Sequence, residues 1–229
     1  MHKRSGFKLN WKYALGEVFL IFIGISLAIG FQNWNEDRKK KTDRRIYYAN
    51  LLEDLKRDND ELARLGEIVL RELKTRSKAD SVLKTDLSSN KKVEELMNLY
   101  YQAGLFEFFP NTDTYDDLVA SGNIKILKDN IRSELVRLAN LHTKYRRYEQ
   151  GNNDFLLSIS KSMHEKVPLQ RMDAHWKTFL KTDFTDVRIS LFNFFKSSSV
   201  IMEQTQIRYA ELININSRLI ALLNQELAD

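Results

Sequence analysis

Residues 18–31 read VFLIFIGISLAIGF, an apolar run that contains neither a charged residue nor a proline. Extended to Tyr13 and Trp34, the stretch has about 22 residues, enough for a helix to cross a hydrocarbon core about 30 Å thick. Trp11, Tyr13 and Trp34 flank the run, and aromatic rings favour the headgroup level of a bilayer. We therefore predict one transmembrane helix over residues 13–34, with these three aromatic residues as its interface anchors.

Two other interpretations of the apolar run are a cleaved signal peptide and a buried core helix. Basic residues precede the run, as they do in a signal peptide, but no short cleavage site of small residues follows Phe31. A core helix is disfavoured by the aromatic and basic residues on both flanks. The sequence therefore favours a membrane anchor.

Glu17 is an ionisable residue about one helical turn inside this stretch, where a carboxyl group is costly and usually faces protein or water. Helical spacing puts it on one stripe with Ile21, Gly24 and Ala28. Gly24 and Ala28 form a small-xxx-small pair, which lets two helices approach closely. One hypothesis is a helix-contact face for self-association, with Glu17 protonated or paired to a neighbouring Lys12. The other is that the Glu17 side chain extends to water at the interface.

Basic residues cluster on both sides of the apolar run. Each basic residue near an anionic membrane surface contributes about 1 kcal/mol of attraction. Nucleic acid is a poorer partner, because no basic face with interleaved aromatic residues continues into the rest of the chain. We therefore expect membrane lipids as partners and no nucleic acid. The predicted headgroup contacts are Arg38, Lys39, Lys40, Lys41, Arg44 and Arg45.

The composition of the chain is typical of long solvated helices. Its 229 residues include only 8 glycines and 2 prolines, and 29% are charged. The chain has no cysteine, which excludes disulfides, thiolate catalysis and cysteine metal sites. Without the anchor region about 190 residues remain, enough for one domain with its own core.

Apolar periodicity predicts a first domain helix over residues 42–84, and because nothing between Trp34 and Thr42 breaks a helix, we expect the anchor to continue into it. In the last helix two neighbouring apolar rows favour a bundle over a free coiled coil. The other predicted helices span residues 91–106, 114–120, 124–149, 154–165 and 186–226.

Turn residues separate these helices. Gly122 suits a left-handed helix end, and Asp113 with Asp116 resembles a capping box. Residues 151–153, Gly-Asn-Asn, predict a break. We predict an all-α fold with a single N-terminal transmembrane helix followed by an antiparallel helical bundle with long first and last helices. The expected organisation is a basic tail over 1–12, the transmembrane helix over 13–34, a basic juxtamembrane segment over 35–45 and the bundle domain over 46–229.

No pattern indicates a catalytic, cofactor or metal site, and we expect neither an enzyme nor a bound cofactor. The sequence has no nucleophile elbow, phosphate loop or dinucleotide fingerprint. Capping and solvation explain the acidic residues 113–117 without calcium. Arg146, Arg147 and the aromatic residues 106–109 fit core packing better than a ligand pocket. The four histidines are His2, His142, His164 and His175. None of them has the spacing of a helical zinc site. His142 falls on an apolar stripe and is predicted to be a hydrogen-bonded core residue.

Two motifs resemble a family of uncharacterised membrane-anchored proteins, common in Bacteroidetes and designated only as a domain of unknown function. The first is the anchor pattern Gly16-Glu17, Gly24-Ile25, Ala28 and Asn33-Trp34-Asn35-Glu36. The second is Tyr115-x-x-Leu118-x-x-Ser121-Gly122 followed by Ile124 and Leu127. Gly30 departs from the family, which often has glutamine there. The resemblance implies a single-pass anchor and a helical domain, and it implies no activity.

Three functions are compatible with this architecture. We favour an interaction or scaffold protein of the bacterial envelope that forms homo-oligomers or joins a larger membrane complex. The alternatives are a ligand-sensing helical domain and a subunit of an ion-coupled membrane assembly that uses Glu17. Counting basic residues slightly favours a cytoplasmic domain, but a short basic tail before an uncleaved anchor is the usual layout of an exported one. We therefore expect a bacterial inner-membrane protein with a periplasmic domain.

Overall fold

The computed structural model describes residues 11–85, 90–165 and 184–228, and every regular element in these ranges is a helix. The predicted all-α fold with long first and last helices is confirmed. The elements are α1 (Trp11–Leu83), α2 (Asn90–Gln102), α3 (Asp113–Ala120), a 3-10 turn (Asn123–Ile126), α4 (Asp129–His164) and α5 (Phe184–Ala228).

The chain divides into two compact units, Met1–Tyr48 and Ala49–Asp229, and α1 contributes residues to both. Its unbroken course from Trp11 to Leu83 confirms that the apolar helix continues into the first helix of the domain. Among the described helices, α1 alone contains a stretch long and apolar enough to cross a membrane. That window of 18 residues has a mean hydropathy of 1.9, and none of it is buried.

The second unit is an antiparallel bundle. Asn59 on α1 lies 3.5 Å from Ser217 on α5 (Nδ2 to Oγ), and further along α1 Arg76 lies 2.9 Å from Ser198 (Nε to Oγ), so residue numbers rise along one helix as they fall along the other. Lys128, just before α4, pairs with Glu226 near the end of α5 at 2.6 Å between Nζ and Oε2. Helices α1 and α4 are thus both antiparallel to α5.

Residues 90–120 occupy the position of a fourth helix. Lys78 of α1 pairs with Glu95 of α2 at 3.1 Å, and Asp58 of α1 bonds to Asn111 further along. This part of the chain therefore also runs antiparallel to α1. It is helical only at its two ends, because residues 103–112 between α2 and α3 are not helical. We call residues 103–112 the crossing segment.

The core follows the predicted helical periodicity. On α5 one of the two predicted apolar rows is fully buried, namely Phe195, Met202, Tyr209, Asn216 and Leu223. The other row begins at Val187 and ends at Leu222, and it is buried except for the half-buried Ile201, Arg208 and Leu222. Around one end of the bundle, α1, α2, α4 and α5 share one apolar cluster. Its members include Ala79, Leu83, Leu96, Tyr100, Leu156, Met163, Leu191 and Phe195.

Arg76 is a buried charge between α1 and α5. Its Nε donates to Ser198 Oγ at 2.9 Å, and its Nη1 donates to the carbonyl oxygen of Glu72 at 3.1 Å and pairs with the Glu72 carboxylate. Breaking a buried ion pair costs about 3–5 kcal/mol. A slide of α5 along α1 would remove Ser198 from Arg76, so this contact fixes the register of the two helices.

Several predicted boundaries are wrong. The helix predicted over 91–106 ends at Gln102, and the break predicted at 151–153 lies inside α4. A glycine inside a helix costs only about 1 kcal/mol, which the buried side chains before and after Gly151 offset. The predicted start at Ile124 is a 3-10 turn, because Leu127 has extended backbone.

The predicted cap of α3 is also wrong, since Asp113 is its first helical residue. Thr112 precedes it and donates its hydroxyl to the Asp116 carboxylate at 2.8 Å, without a side-chain bond to the backbone. The prediction for Gly122 is confirmed by its φ of 73°. Residues 1–10 of the predicted basic tail, with His2, lie outside the described residues, and so do residues 166–183, with His175.

Candidate functional site

The crossing segment is the most irregular part of the described bundle. Most of its backbone lies outside a helix, so its buried amide groups need acceptors other than those of a helix. Asp58 on α1 accepts hydrogen bonds from the backbone N–H of Asn111 at 2.9 Å and from its Nδ2 at 2.6 Å. Glu149 on α4 accepts one from the backbone N–H of Phe108 at 3.0 Å. Asp58 and Glu149 are only 1% and 5% exposed, so two buried carboxylates hold the segment from two helices.

The Phe108 ring fills the space that the broken helix leaves. It is buried and meets the His142 ring edge-on at 5.8 Å between centroids. On its other side the Tyr209 ring of α5 lies at 6.2 Å. The segment thus packs an aromatic side chain between α4 and α5.

Burial raises the pKa of both carboxyl groups. For Asp58 the two hydrogen bonds from Asn111 oppose this rise, and the charge of Asp54 adds to it. For Glu149 the Phe108 N–H and the neighbouring Tyr209 hydroxyl oppose the rise in pKa. Burial and the charge of Glu149 in turn raise the pKa of Tyr209. Asp58 and Glu149 thus accept hydrogen bonds from the crossing segment and hold it against α1 and α4. We call these two carboxylates the clamp.

A small cavity, lined mostly by apolar atoms, lies beside Asp58. It measures about 30 Å³, and its polar lining includes Asp54, Asn111 and His142. Within the described structure, Asp54 Oδ2 and His142 Nε2 are buried there without hydrogen-bond partners. The cavity has room for one or two water molecules and is far below the 300–1,000 Å³ of a typical ligand pocket. Over the same described ranges, no group of three or more histidine or acidic residues could hold a metal ion.

His142 lies at the predicted core position, but the expected hydrogen bond is missing at Nε2. Burial lowers the pKa of His142 to about 4. The imidazole is therefore neutral at physiological pH and packs as an aromatic ring against Phe108.

The predicted helix-contact face lies along α1 and is exposed. Glu17, Ile21, Gly24 and Ala28 all belong to this helix, and nothing lies within 4 Å of the position that a Cβ on Gly24 would occupy. Within the described structure the face is therefore open. Its part in self-association stays a prediction.

The predicted interface anchors and headgroup contacts also lie along α1. Trp11 and Trp34 are exposed, and Tyr13 is part of the helix. The Arg38 guanidinium lies 5.9 Å from the centroid of the Trp34 ring, and Lys40 pairs loosely with Asp37 at 3.9 Å. Lys39, Lys41 and Arg45 are exposed, and Arg44 is half-buried.

Asp58 and Glu149 are functional residues that were not predicted from the sequence. Each falls on the apolar stripe of its own helix, Asp58 between Leu55 and Leu62, and Glu149 after Tyr145. A carboxylate on an apolar stripe is visible in the sequence. It indicates a specific contact in the core, because a buried charge needs a partner. The partners come from a non-helical segment that periodicity does not predict.

A groove of about 580 Å³ opens on the outer side of the crossing segment. Its walls are the crossing segment and the α4 residues Gln150, Asn153, Asp154 and Leu157. Phe109 lies at its edge, 59% exposed, with the Arg146 guanidinium 5.3 Å from its ring centroid. The prediction that this corner packs in the core holds for Phe108, whereas Phe109, Arg146 and Arg147 are exposed.

Fold and site together define a helical bundle on a long apolar helix, with a broken fourth helix held by buried carboxylates. The chain belongs to the family of unknown function DUF6090, which matches residues 17–164. The match begins at Glu17 and includes the crossing segment and both carboxylates. No curated protein and no solved structure matches the chain.

Replacement of Glu149 by alanine tests the clamp. The buried Phe108 N–H then lacks an acceptor, which costs about 1–3 kcal/mol, and we expect its amide hydrogen to exchange about 10- to 100-fold faster. Glu149→Gln retains an acceptor and should preserve most of the protection. Glu107→Ala, on the segment itself, is the control and should leave this amide unchanged. Equal exchange in Glu149→Ala and wild type would refute the clamp.

His142 should make stability depend on pH. Its folded-state pKa of about 4 is below the ordinary value of 6.5, so its contribution is complete above about pH 6.5 and is lost as the pH falls toward 4. Wild type should lose about 2–3 kcal/mol more than His142→Gln between pH 7.5 and 4.5, measured by urea unfolding. The raised pKa values of Asp58 and Glu149 act in the opposite sense and cancel in this comparison. Identical pH profiles would contradict the assignment.

Proposed function

We propose that the chain is a single-pass membrane protein of the bacterial envelope whose helical domain serves as a scaffold. The observation that carries this proposal is the apolar stretch of α1, none of which is buried. Soluble proteins rarely leave so large a continuous apolar surface uncovered, and such a surface marks contact with membrane or protein. A helix through a bilayer satisfies this requirement along its whole circumference.

The residues at the ends of the stretch support a spanning helix. Trp11 and Trp34 are exposed on α1, where they can lie at the two interfaces. The basic residues 38–45 follow directly and are suited to anionic headgroups. Lipid therefore covers most of the apolar surface.

Self-association accounts for the rest of this surface. Glu17 needs a polar neighbour or a proton at its depth in the bilayer, and the open space at Gly24 lets a second helix come close. A second copy can supply the polar neighbour through its own Lys12, and its Gly24 lies on the corresponding face. The scaffold is then a homo-oligomer, to which other membrane proteins can bind.

The described bundle supports a binding role over a catalytic or sensory one. Its buried carboxylates accept hydrogen bonds from backbone amides, the cavity beside Asp58 measures only about 30 Å³, and the larger groove beside the crossing segment is open to solvent. Exposed apolar side chains on the crossing segment, α4 and α5 instead give the domain surfaces for other proteins.

The association face can be tested with full-length chains in lipid vesicles. Gly24→Leu fills the space between helices and should weaken association about tenfold, measured by energy transfer between labelled copies. Glu17→Gln should weaken it less, because the amide can still form hydrogen bonds. Ser26→Leu makes the same kind of change on the opposite face of the helix and should have no effect. Equal energy transfer in all four proteins would remove this face from the proposal.

We place the protein in the inner membrane with its domain in the periplasm, because basic residues precede the apolar run and long domains translocate largely regardless of the charges that follow an anchor. Protease added to intact spheroplasts should then degrade the domain before the cells are lysed. A cytoplasmic control protein should survive until lysis. Protection of the domain until lysis would reverse the orientation.

A further inference from the structure

Two exposed surfaces of the bundle carry opposite charge around apolar side chains. The first is the groove beside the crossing segment, which we call the acidic groove. Leu105, Phe109 and Leu157 are its exposed apolar residues, and Glu107 and Asp154 are its charged residues. Neither carboxylate has an ion-pair partner among the residues that the structure describes. The Arg146 guanidinium lies 5.3 Å from the Phe109 ring centroid at the edge of the groove, so two carboxylates are present beside one cation. This balance favours a ligand that is apolar with a cationic edge.

The second surface is on α5, and we call it the basic helix face. Helical spacing puts Arg188, Ile189, Phe192 and Lys196 side by side, away from the buried rows of the helix. Ile189 and Phe192 are 52% and 46% exposed, which is unusual for large apolar side chains so close together. The Lys196 ammonium lies 5.9 Å from the Phe192 ring centroid and pairs with Asp80. Arg188 has no such partner in the described part of the chain.

We infer that the basic helix face of one copy docks in the acidic groove of a second copy. This inference rests on the proposed self-association and adds an interface outside the membrane. The groove, about 580 Å³, has room for several side chains, and the charges of the two surfaces are complementary. An anionic lipid surface is a poor occupant, because Glu107 and Asp154 would repel it.

Geometry makes this contact intermolecular. The basic helix face points away from the core of its own bundle, whereas the acidic groove lies between the crossing segment and α4, so one copy cannot fill its own groove. Copies anchored in one membrane are concentrated at one surface, which favours weak contacts between their domains. The two partner surfaces differ, so the contact is heterologous. Each bound pair retains one free groove and one free face, and copies assemble into a ring or an open row.

The absence of cysteine in the chain permits a direct test. Full-length copies with Asn153→Cys and copies with Asn193→Cys, each with its own tag, are expressed together and oxidised in membranes. These two polar residues border the groove and the face, so their replacement spares the apolar contacts. We expect disulfide-linked pairs that carry both tags, and at least fivefold fewer linked pairs when either variant is expressed alone. Ser133→Cys, at an exposed site elsewhere on α4, replaces Asn153→Cys as the control and should give only background linking.

Charge reversal makes the test specific. Asp154→Lys in the first copy should lower the yield of mixed pairs severalfold, and Arg188→Asp in the second copy should restore it. Two results would overturn the inference. One is efficient disulfide linking between copies that all carry Asn153→Cys, and the other is a yield of mixed pairs that neither charge reversal changes. If mixed links are absent while the two tags still co-purify, the groove contact is wrong and self-association stands. If the tags no longer co-purify, self-association itself fails.

Discussion

None of the apolar stretch of α1 is buried by the described protein. The need to remove this stretch from water is the constraint on which the rest of the structure depends. Removing apolar surface from water contributes about 25 cal/mol per Å², so leaving a whole helical circumference exposed is strongly unfavourable. The bundle has an apolar core of its own, to which α1, α2, α4 and α5 contribute. In the function that we propose, lipid together with a second copy of the helix removes the apolar stretch from water, and the helix ties the domain to the membrane.

Within the domain, buried charges determine how the helices align. Arg76 connects α1 to α5 through Ser198, and the carboxylates of Asp58 and Glu149 hold the crossing segment from α1 and α4. Buried polar groups of this kind add little net stability compared with an apolar core, but each tolerates only a few arrangements of its partners. They favour one register and one path of the broken helix over others of similar apolar burial. The exposed apolar side chains of that path then become available for binding.

Sequence periodicity predicts the long elements well and the irregular ones poorly. The two rows of α5 and the continuation of the anchor into the domain are visible in the sequence because each contains many apolar positions in phase. The break predicted at Gly151 fails because tertiary packing offsets a weak local preference. The crossing segment is not predictable in the same way, since its bonds to Asp58 and Glu149 connect residues 53 and 41 positions apart. Only the presence of these carboxylates on apolar stripes indicated that something unusual must pack there.

The most direct test of this account is the mass of the intact assembly after gentle detergent extraction. One chain has a mass of 27.0 kDa. A membrane-anchored scaffold that associates through α1 and through its domain should appear as a defined multiple of this mass, alone or with bound membrane proteins. A single copy without partners, at every concentration and in every mild detergent, would contradict the central claim.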